Sequence, residues 1–529
     1  MSRMQPSAVL PVGWLTLFVV VPMTALLSSH VVISDVTRVF SRGSTWDIVW
    51  FSTWQAFASV MLTFIVAMPI TWIVGRYHFR GRLIVRAVAS IGFLLPSIVV
   101  SAGFLALLPD AMDISLVAIL GAHAYFNVAV VLRIVAPRLE SFDTQLMWAA
   151  RSLGATRVQA MSSIWWPAMR GAVTSAAGVI FIYCFSSYAI VRTLGGPTRN
   201  SLESDIALRA YAVGDIGGAV VLSLLQLAVI GAVLIIGRII TRDIRVGARR
   251  TRMTSSSLVG GRRAAAGCII VVTISGVLAP LIALATRSFR VGERWSLSGW
   301  RAVFSGDVVG STSPLQSLWS SARTAAIAGV IGVVLATLMS HAITRLRSSG
   351  RWLDVISMAP LAISPVTLGL GLIVTFDEGW YDWRGEWWFV AVVHTIVAFP
   401  LAVRVMVPSW RAISPGLRDA AAVLGASPLR RLFNIELRLI WSSIIAASGL
   451  IAAVSLGEFG AASMLSRSGA ETLPVAISRL LARTGDTVRA QAFALATLLV
   501  IACLTVLLII DVAGSRSRVT HRGAHARGQ

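Results

Sequence analysis

Residues 148–167 read WAARSLGATRVQAMSSIWWP, and residues 419–438 read DAAAVLGASPLRRLFNIELR. In each, a pair of alanines is followed four positions later by a glycine, and ten positions after that by an isoleucine. The residues are Ala149, Ala150, Gly154 and Ile164 in the first stretch, and Ala420, Ala421, Gly425 and Ile435 in the second. Both stretches lie between long apolar runs. A hydrophobic chain that carries one small-residue segment twice points to a duplicated architecture, and the rest of the sequence can be tested for it.

The chain has 529 residues, 56% of them hydrophobic and only 13% charged. A soluble domain carries about a quarter charged residues, so this composition belongs to a membrane protein. A spanning helix needs roughly 20 apolar residues. Candidate spans fall at 9–29, 52–74, 86–108, 114–136, 169–193, 217–240, 264–286, 320–343, 354–376, 388–410, 440–464 and 488–512. That is about twelve transmembrane helices in an all-α integral membrane protein, six in each half. The run at 9–29 is longer than a signal-peptide core and reads as a retained first span.

The formal net charge is +23, and every one of the 46 basic residues is arginine. The arginines sit in short segments between apolar runs rather than on a module that stacks bases, so no nucleic acid is expected as a partner. Basic residues gather in cytoplasmic loops. One set of segments holds Arg76, Arg80, Arg82 and Arg86; then Arg238 to Arg263; then Arg516 to Arg527 in the tail. The opposite loops mix arginine with acids: Asp110 and Asp113, then Asp377, Glu378, Asp382 and Glu386. Both termini are therefore expected in the cytoplasm, with the protein in the cytoplasmic (plasma) membrane. Cys184, Cys268 and Cys503 lie in apolar runs without metal-ligand spacing and read as small buried hydrophobes. No metal site is expected.

The halves repeat. RYHFRGR at 76–82 resembles RLRSSGR at 345–351, and Pro96 matches Pro365 at the same offset of 269. Gly154 matches Gly425 at 271, as Ser187 matches Glu458 and Tyr188 matches Phe459. A nearly constant offset marks duplication and fusion. An even number of spans per half makes the repeats parallel. The expected division is 1–245 for the first repeat, 246–262 for a cytoplasmic linker, 263–513 for the second repeat and 514–529 for a basic tail without fixed structure.

The quoted segments fall between spans 4 and 5 of each half, on the cytoplasmic side. Alanine favours helix and glycine ends it, so each should form a short helix, a glycine break and a second helix entering the next span. Small side chains allow close approach of another surface. Arg151, Arg157, Arg418, Arg430 and Arg431 offer charge to an acidic partner. Two equivalent loops call for two equivalent partner surfaces.

The spacing resembles the EAA motif of permease subunits in binding-protein-dependent ABC importers: Glu-Ala-Ala, three residues, Gly, nine residues, then Ile-x-Leu-Pro. Ala149, Ala150, Gly154, Ile164 and Pro167 match in the first half; Asp419, Ala420, Ala421, Gly425, Ile435 and Leu437 match in the second. Trp148 replaces the first acid, Trp166 the leucine and Arg438 the final proline. The resemblance implies the type I importer transmembrane fold. It also implies two ATP-binding cassette subunits docked on these loops, an extracytoplasmic solute-binding protein, and ATP with Mg used by the partner subunits. FSSYAIVRTLGGPTRNSLE at 185–203 and SLGEFGAASMLSRSGAETLP at 455–474 look like the thiamine-type fused permeases; ferric-iron permeases are similar in architecture and stand as the alternative.

A chain without lysine cannot form a GxxxxGK[ST] phosphate loop, so it binds no nucleotide cofactor by that device and is not expected to be an enzyme. His123 and His394 should form interior hydrogen bonds. Glu458 lies in an apolar run, where a carboxylate faces an interior or a water-filled path. With Ser187, Tyr188 and Phe459 it is a candidate for the translocation path, or else it bonds a neighbouring helix. Gly195, Gly196 and Pro197 would break the chain on the outer side, where the binding protein arrives. The rival class is an ion-gradient-driven secondary transporter, which also often has two six-span halves. It has no need of the repeated loop.

Overall fold

The computed structural model describes residues 6–29, 33–241, 256–257, 261–305, 313–346, 349–376, 383, 386–466 and 471–526. The arginines from 242 to 252, the acids Asp377, Glu378 and Asp382, Arg527 and residues 467–470 lie outside them, as does most of the expected linker. Among the described residues the regular structure is helical apart from two-residue ladders such as Tyr77–His78 with Ser256–Ser257.

Among the described residues, nine helices are long and apolar enough to cross a membrane, and up to eleven if each of two bent pairs counts as one span. All but one of the twelve expected segments have such a helix or bent pair. The exception is 86–108, which is divided into Arg82–Val88, Ile91–Leu94 and Ser97–Leu107. Its counterpart is also broken: Gly350–Ala362 meets Pro365–Phe376 at 94°. The cause is shared. Pro96 stands immediately before the Ser97–Leu107 helix, and Pro365 opens the Pro365–Phe376 helix. Proline has no N–H to give to a preceding turn and biases the residue before it away from helix, so the helix restarts there. By contrast Pro69, Pro137, Pro400 and Pro408 lie inside long helices.

The chain divides into two compact units that are not the two sequence repeats. One unit holds residues 34–209 and 221–290. Its core is the bundle Gly43–Arg76, Leu116–Glu140 and Arg157–Phe185, joined by Gly261–Ser288, the first helix of the second repeat. That helix lies so close to Ser97–Leu107 that a Cβ on Gly103 would come within 3.1 Å of Pro280 Cβ. The Tyr125 hydroxyl donates to the Val277 carbonyl at 3.0 Å.

The other unit holds residues 1–33, 210–220 and 291–529. Its bundle is Pro314–Arg345, Phe389–Arg411, Trp441–Gly457 and the start of Asp486–Ala526. Here the first helix of the chain, Pro6–Ser28, packs on Pro314–Arg345 and Pro365–Phe376. A Cβ on Gly371 would meet Met23 and Pro22 at 2.6 and 3.2 Å. Each repeat has thus given its first helix to the unit built by the other. In both places a glycine of the third segment meets a proline of the exchanged helix.

The final helix continues to Ala526, so the backbone of the tail expected to lack fixed structure is helical up to that residue. Cys184 and Cys503 are buried as expected, but Cys268 is exposed on its helix.

Candidate functional site

The two alanine–glycine segments fold alike, with the same hydrogen bonds at the end of the first helix. The first runs through helix Gln145–Ser152, the second through Pro415–Val423. Each ends in the same hydrogen-bond pattern. In the first, the N–H of Ala155 donates to the Ala150 carbonyl at 3.0 Å, and that of Gly154 to Arg151 at 3.1 Å. In the second, Ala426 donates to Ala421 and Gly425 to Ala422, both at 3.0 Å. This closure satisfies the last carbonyls of a helix and needs a left-handed residue at the glycine. Gly154 has φ +89° and Gly425 φ +79°. Nothing lies within 4 Å of where a Cβ would stand at either, so backbone conformation rather than space demands glycine.

A second helix then starts on a hydroxyl cap. Thr156 accepts from the Gln159 N–H at 3.3 Å, and Ser427 accepts from the Arg430 N–H at 3.3 Å. Each continues through one five-residue π turn, Met161–Trp165 or Leu432–Glu436. The expected helix–glycine–helix is therefore present twice. Pro167 follows the π turn closely, inside the continuous helix Arg157–Phe185. Arg438 fills that place in the second copy.

These loops bury almost none of their own apolar surface. No residue of Gln145–Ser152 is buried, and only Ala421 is buried in Pro415–Val423. Leu153 and Leu424, the residues just before the glycines, are 90% and 86% exposed. Trp148 and Val423 are also exposed. Each copy thus holds apolar side chains out at its surface. Sequence reasoning passed over Leu153 and Leu424, although their place beside each glycine was a usable signal.

Beneath the loops the two copies part. In the second, the carboxylate of Glu436 is only 1% exposed. Its Oε1 accepts from Arg345 at 2.6 Å and from Arg418 Nε at 3.0 Å, and His341 Nε2 lies 3.8 Å from Oε2. By the repeat offsets, these four positions in the first copy are Trp165, Arg76, Met147 and Trp72. An ion cluster in one half is an aromatic group in the other. The Trp72 and Trp165 ring centroids are 6.2 Å apart, and the Arg76 guanidinium lies 5.7 Å from the Trp72 centroid. The first half places its own bridging acid elsewhere: Glu140, at the end of Leu116–Glu140, accepts from Arg82 and Arg86.

The other candidates sit at helix breaks. Ser187 and Tyr188 lie between Phe185 and the short helix Ala189–Leu194; Glu458 and Phe459 lie between Trp441–Gly457 and Gly460–Leu465. Ser187, Glu458 and Phe459 are buried, and Tyr188 is half-buried. Both oxygens of Glu458 are used: Oε1 accepts from the Ala461 N–H and Oε2 from the Ala462 N–H, each at 2.9 Å. The negative group thus caps the positive end of the restarted helix. His394 Nε2 lies 3.3 Å from Oε2. The other histidine nitrogen, Nδ1, bonds Ser455 Oγ at 2.8 Å, while His123 Nδ1 bonds Ser59 Oγ at 3.0 Å. The expected interior bonding of both histidines is observed. Cys184 takes the place of Ser455 in the first half, so His123 turns to a serine on another helix.

The family described as "Binding-protein-dependent transport system inner membrane component" matches residues 328–519, which include the second loop. The thiamine transport system permease protein of Escherichia coli is 26% identical over 512 residues, covering 89% of this chain and 91% of that protein. Its counterpart in Brucella abortus is 26% identical over 500 residues, covering 89% and 88%. A putative 2-aminoethylphosphonate transport system permease protein of Salmonella typhimurium is 34% identical over 130 residues, covering 25% of this chain and 49% of that protein.

Proposed function

We propose that this chain, a permease subunit of a binding-protein-dependent ABC importer, carries thiamine or a thiamine phosphate across the inner membrane. The subunit is a transport component rather than an enzyme, and ATP hydrolysis belongs to separate subunits. The observation that carries the solute is the likeness to thiamine permeases along both halves, with 89% of the chain aligned. The ferric-iron alternative rests on likeness of architecture alone.

In this reading the two helix–glycine–helix loops face the cytoplasm, with both termini, and one ATPase subunit seats on each. The exposed Leu153 and Leu424 enter the ATPase surfaces, and the left-handed glycines fix the angle of each loop. ATP with Mg closes the ATPases on each other, and closure favours one permease conformation over the other. A ligand can shift such an equilibrium only by its differential affinity for the two states, so the loops must sit differently in each.

The broken helices at Ser187–Tyr188 and Glu458–Phe459 border the path of the solute. Interrupted helices suit this because irregular backbone at membrane depth is tolerated only where it is buried in protein or lines a cavity. Glu458 acts there through the helix it caps. Tyr188 and Phe459 supply rings to an aromatic solute.

The experiment is a calorimetric titration of the cognate binding protein. Thiamine or its phosphates should give heat, and ferric iron none. Heat with iron and none with any thiamine form would sink the solute assignment.

A further inference from the structure

Under the first loop lies a cavity of about 300 Å³, lined by Trp72, Arg76, Trp148, Arg151, Arg157 and Trp165 among others. Its charge is one-sided: three guanidinium groups and no carboxylate among the lining residues. Arg76 is half-buried and has no acid partner among the described residues; its contact is the Trp72 ring. The Trp165 indole N–H is buried and meets no acceptor among the described residues. A buried donor without an acceptor is unfavourable, and the neighbouring guanidinium adds positive charge, so the cavity favours an incoming anion.

The second half shows what that anion replaces. Arg345, the counterpart of Arg76, is satisfied by Glu436, which occupies the position of Trp165. The first half has kept the arginine and lost the acid. Trp148 likewise stands where the second loop has Asp419. The second loop therefore brings its own carboxylates, whereas the lining of the first cavity holds three arginines and no acid; Asp143, at the start of that loop, accepts from the Gln145 N–H instead.

We infer that the first-half cavity receives a carboxylate side chain, aspartate or glutamate, from the ATPase subunit seated on that loop. This rests on the loops being ATPase seats, as proposed above. Continuity with the exposed face of Gln145–Ser152 and charge complementarity select this occupant. The carboxylate would accept from Arg76 and the Trp165 indole, while Arg151 and Arg157 at the rim steer it in. At the second loop the same ATPase side chain would find the equivalent arginine already paired. The two seats would then differ in strength and in salt dependence.

The test uses the permease co-purified with its ATPase subunits from membranes. Arg76→Gln should lower ATPase retention by about tenfold, the value of one charge-assisted hydrogen bond. Trp165→Glu, which keeps Arg76 but supplies a carboxylate within the chain, should lower it as well. Arg76→Glu should be rescued by changing one acid of the ATPase to arginine. Unchanged retention in both Arg76→Gln and Trp165→Glu, with retention lost in Leu153→Asp, would overturn this assignment while leaving the loop as the seat. Retention unaffected by all three would overturn the seat itself and this inference with it. Arg76-dependent quenching of tryptophan fluorescence by ADP in the permease alone would overturn it in favour of a small aromatic anion. None of these readouts involves the transported solute, so they stand apart from the binding-protein titration.

Discussion

Gly154 and Gly425 lie 271 residues apart and hold the same left-handed backbone, φ +89° and +79°, at the same point of the same hydrogen-bonded turn. An L side chain in that conformation costs roughly 1–2 kcal/mol per residue. Because no atom lies near either Cβ position, alanine should strain the turn without a clash. The double Gly154→Ala, Gly425→Ala variant should insert normally and lose most uptake, and asparagine should be milder than alanine because it enters the left-handed region more readily. Full uptake by the alanine double variant would show that the loop angle is immaterial.

Leu153→Asp and Leu424→Asp should leave the thermal stability of the solubilised permease unchanged, because both side chains project almost fully from the protein. Each should release one ATPase subunit. Quantifying the ATPase-to-permease ratio after purification checks this, and a ratio unchanged in the double variant would refute it.

Glu436→Gln removes a buried charge between two arginines. Breaking a buried pair from one side costs about 3 kcal/mol or more. The variant should melt at a clearly lower temperature than wild type. Trp165→Phe, its positional counterpart, removes only an unpaired N–H and should be close to neutral. Equal losses in the two variants would mean that the repeats are not electrostatically distinct at this level.

Glu458→Gln leaves one oxygen to accept where the carboxylate used two, and an amide NH₂ facing a backbone N–H. A lost cap costs about 1 kcal/mol. Uptake and stability should therefore fall together. Loss of uptake at full stability would mean instead that the charge meets the solute directly.

The membrane architecture was readable because hydropathy integrates over about 20 residues, and the repeat because an offset tolerates substitution. What hydropathy cannot see is hydrogen bonding. The 86–108 run has the length of a span, yet Pro96 forces a restart and leaves Ser97–Leu107 as its longest helix. Pro96 and Pro365 were visible as an aligned pair, and reading them as breaks required only the chemistry of the missing N–H. The loops were legible to the residue, since alanine and glycine act through local backbone preferences. The Glu436 cluster was not. Arg345, Arg418 and Glu436 are far apart in sequence, and arginines in a basic loop read as solvated until the fold brings an acid beneath them. Trp148 departs from the motif and Trp165 falls at its unconstrained position, yet both stand where the second copy has an acid, Asp419 and Glu436.

The exchanged first helices set a timetable for synthesis. Pro6–Ser28 leaves the ribosome well before Pro314–Arg345, on which it packs and which begins some 285 residues later. At about 5–20 residues per second, the helix waits on the order of tens of seconds in the bilayer without its partner. A product ending after the first half would hold one bundle without its borrowed helix, and a first helix with no bundle to pack on. Joining both halves in one polypeptide ensures that every lender meets its borrower in equal number and in the same patch of membrane.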